Sequence, residues 1–297
     1  MIERTPILNA ITHVIMLIGV VVAVLPIAVV FIASTHDFRT VNMVPMPLWP
    51  GDQFFENYAR VWEKADFGAK MINSLIVAVG VTAGKIVIAA LSAFAIVYFK
   101  YRLRMVFFWL IFITLMLPLE VRIVPTYAVV ADTLSPFRTI LDFLGLPLFV
   151  PEVNLLNTYT GLILPLVATA TGTFLYRQFF LTIPDELAEA AKMDGAGPIR
   201  FFLEVLIPLS KTNMAALATI MFVYAWNQYL WPLLVVTDQD MATATMQLKK
   251  IVPGPLFGQP PIWNEAMAAT LLVMIPPLLV VIFMQGYFVR GLVNTDK

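Results

Sequence analysis

The sequence predicts an all-α integral membrane protein with six transmembrane helices, and two observations carry that prediction. Of the 297 residues, 60% are hydrophobic and 13% are charged, where a soluble domain has about 25% charged residues. The apolar residues also gather into six runs, each long enough for a bilayer core about 30 Å thick, which takes roughly 20 residues of helix. The chain is predicted to form one domain, residues 1–297, with no separate soluble module. It has no cysteine, hence no disulfide framework or thiolate metal site, and His13 and His36 are too few for a histidine-rich one. Its 19 basic and 19 acidic residues cancel, leaving no overall positive charge for nucleic acid.

The first run, 13–34, has an apolar core longer than the roughly 7 to 15 residues of a signal peptide and is expected to be a retained span. The others are 72–98, 105–131, 159–180, 207–236 and 266–288. Six spans put both termini on one side. The termini and short links on that side hold Arg4, Lys100, Arg102, Arg104, Arg177, Lys192, Arg200, Lys211, Arg290 and Lys297, whereas Arg39, Arg60, Lys64, Lys70, Arg122, Arg138, Lys249 and Lys250 are spread over longer loops opposite. The positive-inside rule weighs short links most heavily, which places the termini in the cytoplasm. The outer loops, about 40–70, 132–157 and 237–264, contain clusters such as "VPMPLWPG" and "VPGPLFGQPPIW" and are predicted to be irregular. Pro26, Pro118, Pro125, Gly161, Pro165, Gly172, Pro232, Pro276 and Pro277 interrupt the runs. A bundle around a pathway and ordinary kinked packing would each satisfy the backbone groups they free.

No nucleophile elbow, zinc-type H-E-x-x-H or Ser–His–acid set is present, which argues against an enzyme. "GVTAGKI", 80–86, imitates a phosphate-binding loop, yet it has three residues between its glycines where four are needed, and Ile86 where Ser or Thr must meet magnesium. Gly80 and Gly84 fit better as a G-x-x-x-G face that lets another helix approach closely. "DGAG", 194–197, lacks the third glycine of a dinucleotide fingerprint.

Between the fourth and fifth runs lies "PDELAEAAKMDGAGPIRFF", 184–202. Thr182 is placed to cap a helix, Pro184 falls in its first turn, and Asp185 and Glu186 set negative charge at the positive end of the dipole. Leu187, Ala190, Ala191 and Asp194 share one face, too mildly apolar to bury itself in its own core. Gly195 ends the helix and Pro198 opens a second, "PIRFFLEVLIP". The stretch is either an amphipathic connector at the membrane surface or a knob received by another protein's cleft.

"EAAKMDGAGPIRFFLEVLIPL" resembles the EAA loop of ABC importer permeases: E-A-A, three residues, G, nine residues, I, one residue, L-P. Glu189, Ala190, Ala191, Gly195 and Pro208 match, and Val205 and Ile207 stand for the Ile and Leu. The likeness runs over nearly the whole chain, through "LSAFAIVYFKYRLR", "FITLMLPLEVRIVPT", "WNQYLWPLLVVTD" and "FVRGLV", to the carbohydrate permeases of the maltose-transporter type. That resemblance implies a type I ABC importer permease fold with a coupling loop at 181–206. Glu189, Ala190, Ala191, Asp194 and Gly195 would dock in a groove of an ATP-binding subunit, with Glu189 meeting a basic residue there. The implied partners are a homologous second permease, two ATP-binding subunits, an extracytoplasmic solute-binding protein and membrane lipid. ATP and magnesium would sit in the ATP-binding subunits, leaving no cofactor or metal on this chain. The implied setting is the bacterial inner membrane and the implied cargo is sn-glycerol-3-phosphate. A neutral sugar or oligosaccharide and a glycerophosphodiester are alternatives within the same architecture; an integral membrane enzyme or receptor is the alternative outside it. The 132–157 segment exceeds the family pattern, and nothing carries over to it.

Three residues are candidates for the substrate pathway. Lys85 lies mid-run, where a charge costs about 2.5–3.5 kcal/mol on insertion scales; it either faces the pathway and attracts a phosphate or pairs with an acid or carbonyl of a neighbouring helix. Arg122, two residues from Glu120 and so on a different face, either offers its fork to a phosphate or snorkels to the interface. Asn227, within the aromatic "WNQYLWPLL", needs amide partners from a neighbouring helix or from a substrate hydroxyl, while the aromatics around it suit an interfacial belt.

Overall fold

A computed structural model describes residues 6–114, 117, 119–146, 148–168, 170–252 and 261–293, the side chains at 65, 119, 120 and 288–293 being outside that description. Helices account for its regular structure, and no strand occurs among the described residues. In chain order they are α1 (Pro6–Ser34), α2 (Phe38–Val41), α3 (Phe54–Glu63), α4 (Phe67–Tyr98), α5 (Arg104–Ile113), α6 (Leu119–Ala131), α7 (Ser135–Phe143) and α8 (Tyr159–Val167). There follow α9 (Ala170–Phe180), α10 (Asp185–Met193), α11 (Pro198–Phe201), α12 (Ile207–Leu209), α13 (Lys211–Trp226), α14 (Leu230–Val235), α15 (Ala244–Ile251) and α16 (Trp263–Val293). The two ends of the chain, Pro118 and most of "VPGPLFGQPPIW" lie outside the described residues.

The runs at 13–34, 72–98 and 266–288 each fall within one continuous helix, α1, α4 and α16, and these three are long and apolar enough to cross a membrane unaided. The other three runs are interrupted. Run 105–131 holds two shorter apolar helices, α5 and α6. Run 159–180 divides into α8 and α9, with Ala168 extended at φ −64°, ψ 123°. Run 207–236 ends its helix α13 at Trp226 and restarts as α14, and at its other end Pro198–Leu209 meets Lys211–Trp226 at a 76° bend.

Proline frees two backbone carbonyls in these segments, one inside α8 and one just ahead of α14, and tertiary contacts satisfy both. Pro165 cannot donate to the Gly161 carbonyl four residues earlier, and the Trp231 indole Nε1 donates to that carbonyl instead, at 3.3 Å. Pro232 likewise leaves the Gln228 carbonyl without its helical donor, and Thr245 Oγ1 donates to it at 2.8 Å. In hydrocarbon, a carbonyl left unpaired would cost several kcal/mol.

The chain groups into two compact units, Met1–Gly68 with Gln247–Ile275 and Ala69–Met246 with Pro276–Lys297. In the first, α1 buries only Ala33 and Ser34. Its end is held by Asn57, fully buried on α3, whose Nδ2 donates to the Ser34 and His36 carbonyls at 2.8 Å each. Asn57 Oδ1 accepts from Asn264 Nδ2 at 2.9 Å, which ties in the start of α16. Lys64 pairs with the largely buried Glu265 at 2.7 Å.

In the second unit, α4 supplies a seam of small residues, including Ala78, Ala89 and Ala93, all fully buried. Asn73, one turn into that part of α4, donates to the Asp240 and Ala242 carbonyls at 2.6 and 3.0 Å and accepts from Tyr159 at 2.7 Å. Asn157 accepts the amides of Thr237 and Asp238 at 2.8 and 2.9 Å. The 132–157 segment contains α7 and is braced by Arg138, which pairs with Asp132 at 2.8 Å.

Asn57→Ala would strip hydrogen bonds from two buried carbonyls and from Asn264, so it should lower stability by about 3 kcal/mol. Chemical unfolding in detergent micelles measures this, and an unchanged midpoint would show that Asn57 does not hold the first unit.

Candidate functional site

Two features stand out in the second unit: a polar helix standing apart from the apolar helices, and a cation-lined cavity. The polar helix is α10. Asp185 and Glu186 occupy its first turn and Lys192 its last, each sign placed to complement the helix dipole. Its end is a Schellman turn. The Ala196 amide donates to the Ala191 carbonyl at 2.8 Å and the Gly195 amide to the Lys192 carbonyl at 3.0 Å, with Gly195 at φ +73°, a conformation that favours glycine. The start differs from the sequence expectation. Pro184, not Thr182, is the cap residue and makes no side-chain cap; the Thr182 hydroxyl donates to the Phe179 carbonyl at 2.7 Å, at the end of α9.

The faces of α10 differ too. Glu189, Ala190, Asp194 and Gly195 are exposed, as are Leu187 and Met193. Ala191 is half-buried, and with Ala188 it packs against a cluster that includes Phe94, Phe180, Phe201 and Phe202. Ala191 therefore belongs to the inner face of the helix and not to the free one that the sequence grouped it with. Tyr98 lies 5.2 Å from Phe201, and Phe94 4.9 Å from Phe202, ring to ring. These contacts join the segment after α10 to the end of α4. Phe202–Leu206 forms a wide π turn, in which the Ile207 amide reaches back to the Phe202 carbonyl. It lies where the Pro208 ring would otherwise crowd the Glu204 carbonyl.

The cavity has a volume of about 470 Å³. Lys85, Ser92, Thr114, Arg122, Thr171, Thr173 and Tyr224 are among its lining residues. Lys85 is 6% exposed, and no carboxylate among the described residues pairs with it. Its Nζ stands 4.7 Å from the centre of the Tyr224 ring, a cation–π contact that only partly replaces water. Arg122 is half-buried, and its Nε is buried without a hydrogen-bond partner among the described residues. Gly80 and Gly84 set the depth of this place. A Cβ at Gly80 would stand 2.6 Å from Ile163 Cδ1, and one at Gly84 2.6 Å from Val167 Cγ2. So α8 rests directly on α4, and its broken end at Ala168 comes to line the cavity with Lys85.

The structure thus brings Lys85 and Arg122 together and leaves Asn227 out. Asn227 is exposed, caps the end of α13 through its backbone, and does not line the cavity. Sequence inspection passed over Ser92, Thr114, Thr171, Thr173 and Tyr224. The alternation of small and hydroxyl residues in "ATATGTF", inside an otherwise apolar run, is the signal that could have found the two threonines of α9.

The family model described as "Binding-protein-dependent transport system inner membrane component" matches residues 85–294. The sn-glycerol-3-phosphate transport system permease protein UgpE of Yersinia enterocolitica is 47% identical over 303 residues, covering 100% of both chains. The UgpE protein of Salmonella typhi is 48% identical over 304 residues, again covering 100% of both. Among solved structures, a chain of a bacterial ABC transporter involved in the import of the acidic polysaccharide alginate superposes with a TM-score of 0.75. Its sequence identity is 23%, over 97% of this chain and 99% of that one. A chain of the bacterial alginate ABC transporter in complex with alginate pentasaccharide-bound periplasmic protein gives 0.62 at 16% identity, over 95% and 96%. These two likenesses establish the fold.

The two glycines differ in what an added methyl would meet. At Gly80 it is the free end of Ile163; at Gly84 it is the stiff, branched body of Val167. Gly84→Ala should cost about 1–3 kcal/mol, and Gly80→Ala less than about 1 kcal/mol. Thermal unfolding of the two variants in detergent checks the order, and a reversed ranking would contradict the contact.

Proposed function

We propose that this chain, which belongs to the family of binding-protein-dependent transport system inner membrane components, is a transmembrane subunit of an ATP-driven ABC importer that moves sn-glycerol-3-phosphate inward by alternating access. Its relatives are named as permeases, and the chain is a transport subunit and not an enzyme. The observation that carries the coupling role is α10 itself: an exposed polar helix rigidly capped at Gly195 and seated by Ala188 and Ala191 on the aromatic cluster. The choice of cargo is supported by full-length identity to proteins named for it.

The chain is a multi-pass protein of the inner membrane and works with a solute-binding protein and further ABC subunits. In the finer arrangement proposed here, those subunits are one homologous permease and two ATP-binding subunits, which hold ATP and magnesium while this chain holds no cofactor. Both termini and α10 face the cytoplasm. Glu189, Ala190, Asp194 and Gly195 form the docking face, with Glu189 against a basic residue of the ATP-binding subunit. A displacement of α10 would pass through Phe201 and Phe202 to Tyr98 and Phe94 at the end of α4, because close-packed rings move together more readily than they separate.

Glu189→Lys reverses a charge at the proposed contact and Gly195→Asp strains a residue at φ +73°. In the complete transporter reconstituted in proteoliposomes, each should lower ATP-driven uptake of labelled sn-glycerol-3-phosphate at least tenfold and weaken retention of the ATP-binding subunit. Uptake at the unmodified rate in both variants would defeat the coupling role. A transporter that carries a neutral sugar but no glycerol phosphate would defeat the cargo alone.

A further inference from the structure

We infer that the cavity between α4, α6, α9 and α13 is a phosphomonoester-binding station, in which the Lys85 ammonium and the Arg122 guanidinium take up the phosphate of the cargo during translocation. This deepens the importer proposal above and rests on it for the identity of the cargo.

Three independent observations converge on one place. Lys85 is 94% buried, since only 6% of it is exposed, and no acid among the described residues neutralises it. A cation kept in an apolar span without a counter-ion is expensive, and Tyr224 at 4.7 Å supplies only a π face. Arg122 adds a second positive charge on the same cavity, with its Nε buried and unpaired among the described residues. The third is the break between α8 and α9. α9 is an 11-residue helix whose first residues, Ala170, Thr171 and Thr173, line the cavity. The start of a helix carries free backbone N–H groups and the positive end of the dipole. Interrupted membrane helices that end at a cavity are a known way to receive an anion.

The charge balance selects the ligand class. Two fixed cations and a helix start match a phosphomonoester, which carries about 1.5 to 2 negative charges near neutral pH. A phosphodiester carries one charge and a neutral sugar none, so either would leave positive charge that no carboxylate among the described residues offsets. A structural role for Lys85 makes the opposite forecast for its removal. A buried cation that held the bundle together would destabilise it when replaced, whereas an uncompensated one costs stability while it is present.

The test uses the complete, nucleotide-free transporter in nanodiscs, with methylphosphonate as a dianionic probe and broadening of its phosphorus-31 resonance as the readout. Unmodified transporter should broaden the line. Lys85→Met and Arg122→Gln should each reduce the broadening at least fivefold, which also discounts any probe held by the ATP-binding subunits. Lys85→Arg should restore most of it. Lys85→Met should assemble and melt no lower than the unmodified complex. The station is overturned if the unmodified protein leaves the line sharp, if both charge-removing variants broaden it equally well, or if Lys85→Met simply unfolds the assembly while Arg122→Gln binds the probe normally. Uptake in proteoliposomes separates this from the cargo. Probe binding that depends on Lys85 and Arg122 without glycerol-3-phosphate uptake leaves the station standing and refutes the cargo; uptake without such binding refutes the station and leaves the cargo.

Discussion

A membrane bundle cannot leave backbone groups unpaired in hydrocarbon, and much of the second unit of this chain follows from how it meets that constraint. Its spans are interrupted, and interruptions free carbonyls. The Gly161 carbonyl, released by Pro165, is taken by the Trp231 indole; the Gln228 carbonyl, released by Pro232, is taken by the Thr245 hydroxyl. Each contact leaves no stranded acceptor upstream of its proline. Helix α8 ends at Val167, and α9 presents its first turn to the cavity. The same packing fixes position: Gly80 and Gly84 let α8 lie directly on α4, so the broken end of α8 and the buried Lys85 line one space.

The polar helix α10 obeys a different rule. It buries little of its own surface, and its conformation is set mainly by its ends: charges that suit the dipole and a Schellman turn closed by Gly195. Two alanines seat it on a dense group of aromatic rings. A helix attached over so small an apolar footprint leaves most of its polar surface exposed, while Phe201, Phe202, Tyr98 and Phe94 join the segment after it to the end of α4. The wide turn at Phe202–Leu206 and the 76° bend after Leu209 lie directly behind this attachment.

The membrane class and the polar helix with the EAA spacing were legible in the sequence because each depends on neighbouring residues. An apolar run must be helical, since helices satisfy their own backbone; and the residue after Asp194 must accept a positive φ, which glycine does readily. Composition points to Thr182 as the cap of α10, whereas the helix begins at Asp185 with Pro184 before it, two residues beyond Thr182. Ala191 was assigned to the free face because helical spacing groups residues by angle and is silent on which angle meets the bundle. The prolines and glycines that interrupt the runs are visible in the sequence, but which of them ends a helix is not, for a related reason. Hydropathy averages over a window, while the donor that makes a break tolerable comes from far along the chain, 70 residues away for Gly161 and Trp231.

By itself, then, the sequence determined that the chain is helical and membrane-embedded, that it carries a capped polar helix with the EAA spacing, and that two cations lie in or near its spans. Composition, periodicity and the conformational demand of single residues suffice for these. Only the tertiary structure decided that Lys85 and Arg122 share one cavity while Asn227 stands outside it, that α9 begins at that cavity, and that Ala188 and Ala191 face inward. The physical reason is that burial, charge pairing and the capping of freed carbonyls are properties of places in space. Each is settled by residues from separate helices, and no local pattern of the chain encodes which helices meet.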